Sequence, residues 1–188
     1  MQRIATLLFL ALFLFVSSAP SATPPVLRPA EWAQPLATTA VKNFYQLDAK
    51  LYRSAQPDAA GFAEIKRLGI TTVLNLRDFH SDEEAQGLGL DLQRIEMDAG
   101  KITILQLVQA LRIIRAAKGP VLIHCWHGSD RTGTVSAIYR MVMQGWSADA
   151  AIDELIHGGY GYHSIYDNIP ILLRQADVAA IKAAVFAP

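Results

Sequence analysis

With 188 residues and a single cysteine, the chain has the length of one domain plus short extensions and can form no intrachain disulfide. Its 17 basic and 17 acidic side chains cancel, and no basic cluster stands out, so no nucleic-acid partner is expected. Apolar residues make up 52%, part of them gathered near the N-terminus.

There Met1-Gln2-Arg3 leads into residues 4–16, an uncharged run broken only by Thr6. This run is shorter than the ~20 residues that span a bilayer, and Ser17, Ser18, Ala19, Ser21 and Ala22 follow, small residues of the kind a signal peptidase cuts beside. Residues 1–22 therefore read as a secretory signal, with a periplasmic or secreted mature protein that keeps no stable membrane span. An uncleaved anchor is the alternative, and Pro20 leaves the cleavage position open. Residues 20–35 hold five prolines and no hydrophobic period, so 23–42 read as a Pro-rich arm without a fold of its own and 43–188 as the domain.

In the domain, Phe44, Tyr45, Leu47, Leu51 and Tyr52 fit two short strands around a turn at Asp48-Ala49-Lys50. Gln56-Pro57 breaks the strand, and Asp58 caps a helix with Phe62, Ile65 and Leu68 on one face, stopped at Gly69. Residues 70–76, β-branched and apolar, fit a buried parallel strand. Residues 77–89 read as a loop, and 90–97 as another strand. Thr103 and Gln106 form a capping box for a helix whose stripe is Ile104, Leu107, Val108, Leu111 and Ile114, ending at Gly119-Pro120. Helices are expected over 132–144, from a Ser147 cap to Gly158-Gly159, and from Asn168 through about Val185. The order predicts an α/β domain, a central mainly parallel sheet flanked by helices, with ligands at the carboxyl ends of its strands.

The most informative stretch is 121–133, VLIHCWHGSDRTG. An apolar strand runs into Cys125, and a short loop containing Gly128 leads to Arg131-Thr132-Gly133 at a helix start. A phosphate dianion is held well by backbone N–H groups converging from a tight loop that feeds a helix N-terminus. A thiol inside that field should give up its proton easily and act as a nucleophile. Arg131 can offer two parallel donors to two phosphoryl oxygens, while Gly128 and Gly133 permit close backbone approach.

His124-Cys125, five residues, then Arg131-Thr132-Gly133 resembles the signature of the cysteine-dependent protein tyrosine and dual-specificity phosphatases. Leu51-Tyr52-Arg53-Ser54-Ala55-Gln56-Pro57 and Val73-Leu74-Asn75-Leu76-Arg77 resemble the opening of small enzymes of this type from bacteria, fungi and plants. The likeness covers roughly residues 43–171 and implies a dual-specificity phosphatase-like fold. It also implies a metal-independent, cofactor-free phosphomonoesterase working through a phosphocysteine on Cys125. Thr132 matches the family's hydroxyl that hydrogen-bonds the sulfur. Asp98, 27 residues before Cys125, matches the family's general acid, and Asp130, inside the loop, is its rival for that role.

Trp126, His127, Gly128, Ser129, Asp130 and Arg131 are the expected substrate-binding residues, and His124 a supporting ring behind the loop. Arg53 and Arg77 read as structural partners of carboxylates. His80, His157 and His163 lack zinc-ligand spacing, so no metal site is expected. The substrate is a phosphorylated protein, or a small phosphorylated molecule or lipid. Sparse positive charge between Cys125 and Arg131 disfavours crowded inositol polyphosphates. A non-catalytic phosphate-binding module and a rhodanese-type sulfurtransferase are the competing functions, and oligomeric state is not legible.

Overall fold

The computed structural model describes residues 28–188, so the expected signal at 1–22 lies outside the described residues. The strands are β1 (Gln34–Pro35), β2 (Tyr45–Gln46), β3 (Leu51–Ser54), β4 (Thr72–Asn75), β5 (Asp91–Arg94) and β6 (Val121–His124). The helices are α1 (Ala59–Arg67), α2 (Ile104–Ala116), α3 (Asp130–Met143), α4 (Ala148–His157), α5 (Asn168–Gln175) and α6 (Val178–Phe186). Single 3-10 turns lie at Glu83–Ala85 and Ala99–Lys101.

The strands form one sheet in the order β1-β2-β3-β6-β4-β5. β3, β6, β4 and β5 run parallel, while β1 and β2 add an antiparallel edge. This is the α/β arrangement expected from the sequence, with β6 between two parallel neighbours. Alternation along the strands assigns their faces. Val121 and Ile123 pack with Leu51, Leu74 and the residues of α2 to α6. Leu122 and Val73 pack instead with Phe62 and Ile65 of α1. Cys125 continues the first series and His124 the second, its ring meeting Phe62 edge-on at 6.2 Å. Cys125 therefore leaves the sheet on the side covered by α3, a helix sunk so deeply that even its Arg140 is buried.

The caps follow the sequence. Asp58 accepts from the Gly61 N–H at 2.8 Å and Ser147 from the Ala150 N–H at 3.2 Å. Thr103 and Gln106 complete a reciprocal box, with the Thr103 N–H donating to Gln106 Oε1 at 2.9 Å. Each such cap contributes about 1 kcal/mol. Asp48 Oδ1 accepts from the N–H groups of Lys50 and Leu51 and so closes the predicted β2–β3 turn.

Several expectations need correction. Residues 28–42, expected as a foldless arm, belong to the domain. Ala33 is fully buried and donates its N–H to Glu154 Oε1 at 2.6 Å, β1 pairs with β2, and Arg28 Nη1 donates to the Gly158 carbonyl at 2.6 Å. Isolated residues dock here through backbone and guanidinium contacts, which produce no hydrophobic period. The expected last helix is two, because Asp177 caps a new start by accepting from the Ala180 N–H at 2.9 Å. Helix α3 begins at Asp130, and Leu68 ends α1 with 42% exposure instead of facing the core. Among the described residues, no helix is long and apolar enough to cross a membrane.

Candidate active site

The loop after β6 is shaped by its carbonyls. Those of Trp126, His127 and Gly128 each accept a hydrogen bond from the β2–β3 side of the sheet: from the Gln56 N–H at 3.0 Å, Asn43 Nδ2 at 2.8 Å and Arg53 Nη2 at 2.7 Å. Asn43 reaches its place with φ of 51°, a left-handed conformation asparagine tolerates better than most residues, and also donates to the Tyr160 carbonyl at 2.9 Å. With the carbonyls drawn outward, the N–H groups of residues 126–132 have no hydrogen-bond partner among the described residues. They are donors left over for an anion, next to the N-terminus of α3, whose dipole favours negative charge.

Gly128 makes the curvature possible. Its φ is +75°, and a Cβ there would lie 2.5 Å from the carbonyl carbon and oxygen of Ser54. Gly133, in the first turn of α3, lets Leu155 approach to where a Cβ would be only 2.2 Å from its Cδ1. Cys125 sits at the base of this loop with 2% of its surface exposed.

Arg131 lines a cavity of about 280 Å³ together with Ala99, Trp126, His127, Asp130, His163, Ile165 and Tyr166. Its Nη1 donates to Asp78 Oδ1 at 3.0 Å and to the Met97 carbonyl at 3.1 Å. The second contact ties the first turn of α3 to the segment carrying Asp98, the residue after Met97. Asp98 is exposed and accepts from the Gly100 N–H at 2.9 Å. Asp130, the rival acid, is buried with both oxygens engaged: Oδ1 accepts from the His163 N–H at 2.9 Å, and Oδ2 stands 2.8 Å from His163 Nδ1. That carboxylate is an anchor for the segment between α4 and α5.

Of the expected substrate-binding residues, Trp126, His127, Asp130 and Arg131 reach the cavity, and Gly128 and Ser129 do not line it. Ser129 Oγ donates to the Tyr160 carbonyl at 2.6 Å, so these two residues offer a ligand only their backbone. The Thr132 hydroxyl is fully buried and, among the described residues, makes no hydrogen bond to Cys125 or to any other group. His124 is fully buried, with Nε2 3.0 Å from Asp82 Oδ2. Burial alone would raise the pKa of Asp82, but the hydrogen bond and charge of His124, helped by the amide of Gln56, hold it below the usual aspartate range.

The two arginines expected to pair with carboxylates do something else. Arg53 bonds a carbonyl and stacks on Tyr160, its Cζ 3.5 Å from the ring centroid. Arg77 donates to Gln56 Oε1 at 3.0 Å and stacks on Trp126 at 4.2 Å. Burial, and then the nearby charge of Arg131, lowers the pKa of Arg77. Asn43, Asp78, Asp82, Tyr160 and Tyr166 carry no motif signal in the sequence, and His163 reads there only as a histidine without zinc-ligand spacing. Each meets the loop or cavity from 30 or more residues away, and only the left-handed tolerance of Asn43 offered a local hint. Among the described residues, no group of three or more His, Cys, Asp or Glu side chains is arranged to hold a metal ion.

A cysteine at the base of a loop of free backbone N–H groups, at the carboxyl end of a central parallel strand and with an arginine in the first turn of the following helix, is the arrangement of an α/β phosphate-ester hydrolase with a thiol nucleophile. The chain belongs to the tyrosine phosphatase family, whose model matches residues 39–160, and is a cysteine-dependent phosphatase of the tyrosine and dual-specificity type. It is similar to the dual specificity protein phosphatase TpbA of Pseudomonas aeruginosa, 36% identical over 162 residues that cover 84% of this chain and 72% of the relative. Crystal structures of TpbA, one in complex with pTyr, superpose with a TM-score of 0.77 at 32% identity, covering 86% of this chain and 100% of theirs. The core catalytic domain of the PP-IP phosphatase Siw14 from Saccharomyces cerevisiae gives 0.68 at 25% identity, over 78% of this chain and 92% of that domain. Membership in this family sets aside the sulfurtransferase and the non-catalytic module.

Proposed function

We propose that this phosphatase acts on phosphotyrosine in proteins, with Cys125 as nucleophile, Arg131 and the loop N–H groups holding the phosphoryl group, and Asp98 protonating the leaving oxygen. The observation that carries the proposal is the cavity lining. Four rings, those of Trp126, His127, His163 and Tyr166, share the lining with a single guanidinium, that of Arg131. Such walls suit one phosphoryl group on a flat aromatic leaving group, and the relative solved with pTyr supports the same reading. Siw14 is a PP-IP phosphatase and a rice relative is an inositol diphosphatase. A crowded polyanion would find only that one cation in the lining, so inositol phosphates are expected to be poorer substrates here.

In the mechanism, the Cys125 thiolate displaces the tyrosyl oxygen in line, forming an S–P bond as the P–O bond breaks. The Asp98 carboxyl gives its proton to the departing phenolate, and its carboxylate then takes a proton from the water that cleaves the S–P bond. Arg131 and the N–H groups stabilise charge on the equatorial oxygens through both displacements. Asp98 is assigned over Asp130 because it adjoins the Met97 carbonyl that binds Arg131, whereas Asp130 is committed to His163. The Thr132 hydroxyl, which has no partner among the described residues, is the proposed donor to the sulfur when it leaves.

The test is phosphate release from phosphotyrosyl, phosphoseryl, phosphoinositide and inositol pyrophosphate substrates in EDTA, by the parent, Cys125→Ser and Asp98→Ala. Preference for the phosphotyrosyl peptide and loss of activity in Cys125→Ser are expected. Turnover by Cys125→Ser would contradict the mechanism, and a preference for the pyrophosphate would contradict the substrate. We also propose that residues 1–22 direct export, which N-terminal sequencing of the protein from the periplasmic fraction tests.

A further inference from the structure

Arg53 is the largest fully buried side chain of the domain, 1% exposed. It lies on the face of β3 that continues Leu51, the same sheet face from which Cys125 emerges. Its guanidinium occupies the space between the Gly128 carbonyl, the Tyr160 ring and the first turn of α3, where a Cβ on Gly133 would stand 3.7 Å from Nη2. Among the described residues it has no carboxylate within salt-bridge distance, and its Nε is buried with no hydrogen-bond partner. Glu154, the carboxylate nearest in charge, is already committed. It takes Arg140 through two hydrogen bonds of 2.8 and 3.1 Å, the Ala33 N–H, and the Tyr160 hydroxyl at 2.9 Å. Burial lowers the guanidinium's pKa, and the charges of Tyr160, Glu154 and Cys125 oppose that fall.

A buried cation without an anionic partner is costly, and perturbed buried charges gather at functional sites. The other ionisable groups of the surrounding elements are largely taken. His124 faces Asp82, Asp130 faces His163, Arg131 faces Asp78, and Arg77 lies on the Trp126 ring near solvent. His127 and Asp98 are exposed. The Tyr160 phenol is kept protonated by burial.

We infer that Arg53 is a positioning residue of the phosphatase reaction, fixing the Gly128 carbonyl and stabilising the Cys125 thiolate from the protein interior. Arg131 meets the phosphoryl group from the cavity, while Arg53 holds its counter-charge beneath the loop before any substrate arrives. The inference rests on Cys125 being the nucleophile proposed above.

Because Cys125 is the only cysteine of the chain, its alkylation by iodoacetamide reports the thiolate directly, without substrate. The pH midpoint of alkylation is measured for the full chain and for Arg53→Met, Arg53→Gln and Arg53→Lys, with thermal unfolding as the check on folding. Arg53→Met is expected to raise the midpoint by about one pH unit or more, and Arg53→Lys, which keeps the charge, to recover most of that shift. If Arg53→Met does not fold, Arg53→Gln, which keeps a donor for the Gly128 carbonyl, carries the same expectation. A folded, uncharged variant with the parental midpoint would overturn the inference while leaving the phosphatase mechanism intact. A parent whose own midpoint is that of free cysteine, about 8.5, would overturn both.

Discussion

Replacing Gly128 by alanine places a methyl carbon 2.5 Å from the Ser54 carbonyl and 2.6 Å from the Ala55 nitrogen, at a backbone φ of +75°. The obstructing atoms are main chain at the end of β3, where Ser54 is paired with His124, so they cannot yield without disturbing the strand that carries Cys125. The left-handed conformation costs an alanine about 1–2 kcal/mol, and forcing the contact apart adds about 1–3 kcal/mol, for a loss of roughly 2–5 kcal/mol. Gly69 is the matched control, because its φ is +83° and nothing lies within 4 Å of a Cβ there. Gly69→Ala should show only the conformational part, about 1–2 kcal/mol, with unchanged kinetics. Thermal unfolding of both variants separates the terms, at roughly 2–4 °C per kcal/mol for a chain of this size. The aryl phosphatase assay should show kcat falling about a hundredfold or more in Gly128→Ala alone, as the loop N–H groups lose their aim. Equal losses in Tm together with normal turnover in Gly128→Ala would refute the packing argument.

Asp98→Asn should lower kcat on an alkyl phosphate about a hundredfold or more and much less on an aryl phosphate with a good leaving group. Asp130→Asn should cost less than about tenfold on either, and the reverse ranking in the same assay would move the acid to Asp130. Asp82 carries a depressed pKa, so its pairing with His124 contributes stability above the ordinary aspartate value of 3.8, and that contribution is lost as pH falls through the lower folded-state value. Asp82→Asn should therefore be less stable at neutral pH and show a shallower acid limb, read by denaturant unfolding from pH 7 to pH 2. Glu154→Gln leaves the buried Arg140 without its anionic partner and should cost about 3–5 kcal/mol, a fall of roughly 6–20 °C in Tm. A loss under about 1 kcal/mol would show that the pair is not needed to hold α3 against α4.

The elements nearest the chemistry were legible because their signals are local. An apolar run ending in His124-Cys125, a glycine in the loop and Arg131 at a helix start specify strand, turn and helix without reference to the rest of the chain. The same holds for the Thr103–Gln106 box and the Asp58 cap. What supports the loop was not legible. Asn43, Arg53 and Gln56 act on loop carbonyls 84, 75 and 70 residues away, and a carbonyl acceptor leaves no mark in a sequence. An arginine that ends in an aromatic and carbonyl or amide niche looks, in sequence, like one that pairs with a carboxylate, and Arg53 and Arg77 are two such residues. His163 was weighed as a metal ligand, but its partner is the loop's own Asp130. The docked segment around Arg28 and Ala33 was missed for a related reason, since two hydrogen-bonded residues and a two-residue strand set no period.

The central claim is that Cys125 carries the phosphoryl group between the two displacements. The most direct measurement is acid quenching of the enzyme within one turnover of an aryl phosphate, followed by mass spectrometry of the peptide containing Cys125. Phosphate is predicted on that cysteine, accumulating further in Asp98→Asn if the same carboxylate serves hydrolysis of the intermediate. Rapid turnover with no phosphocysteine in either protein, and with activity surviving in Cys125→Ser, would contradict the account.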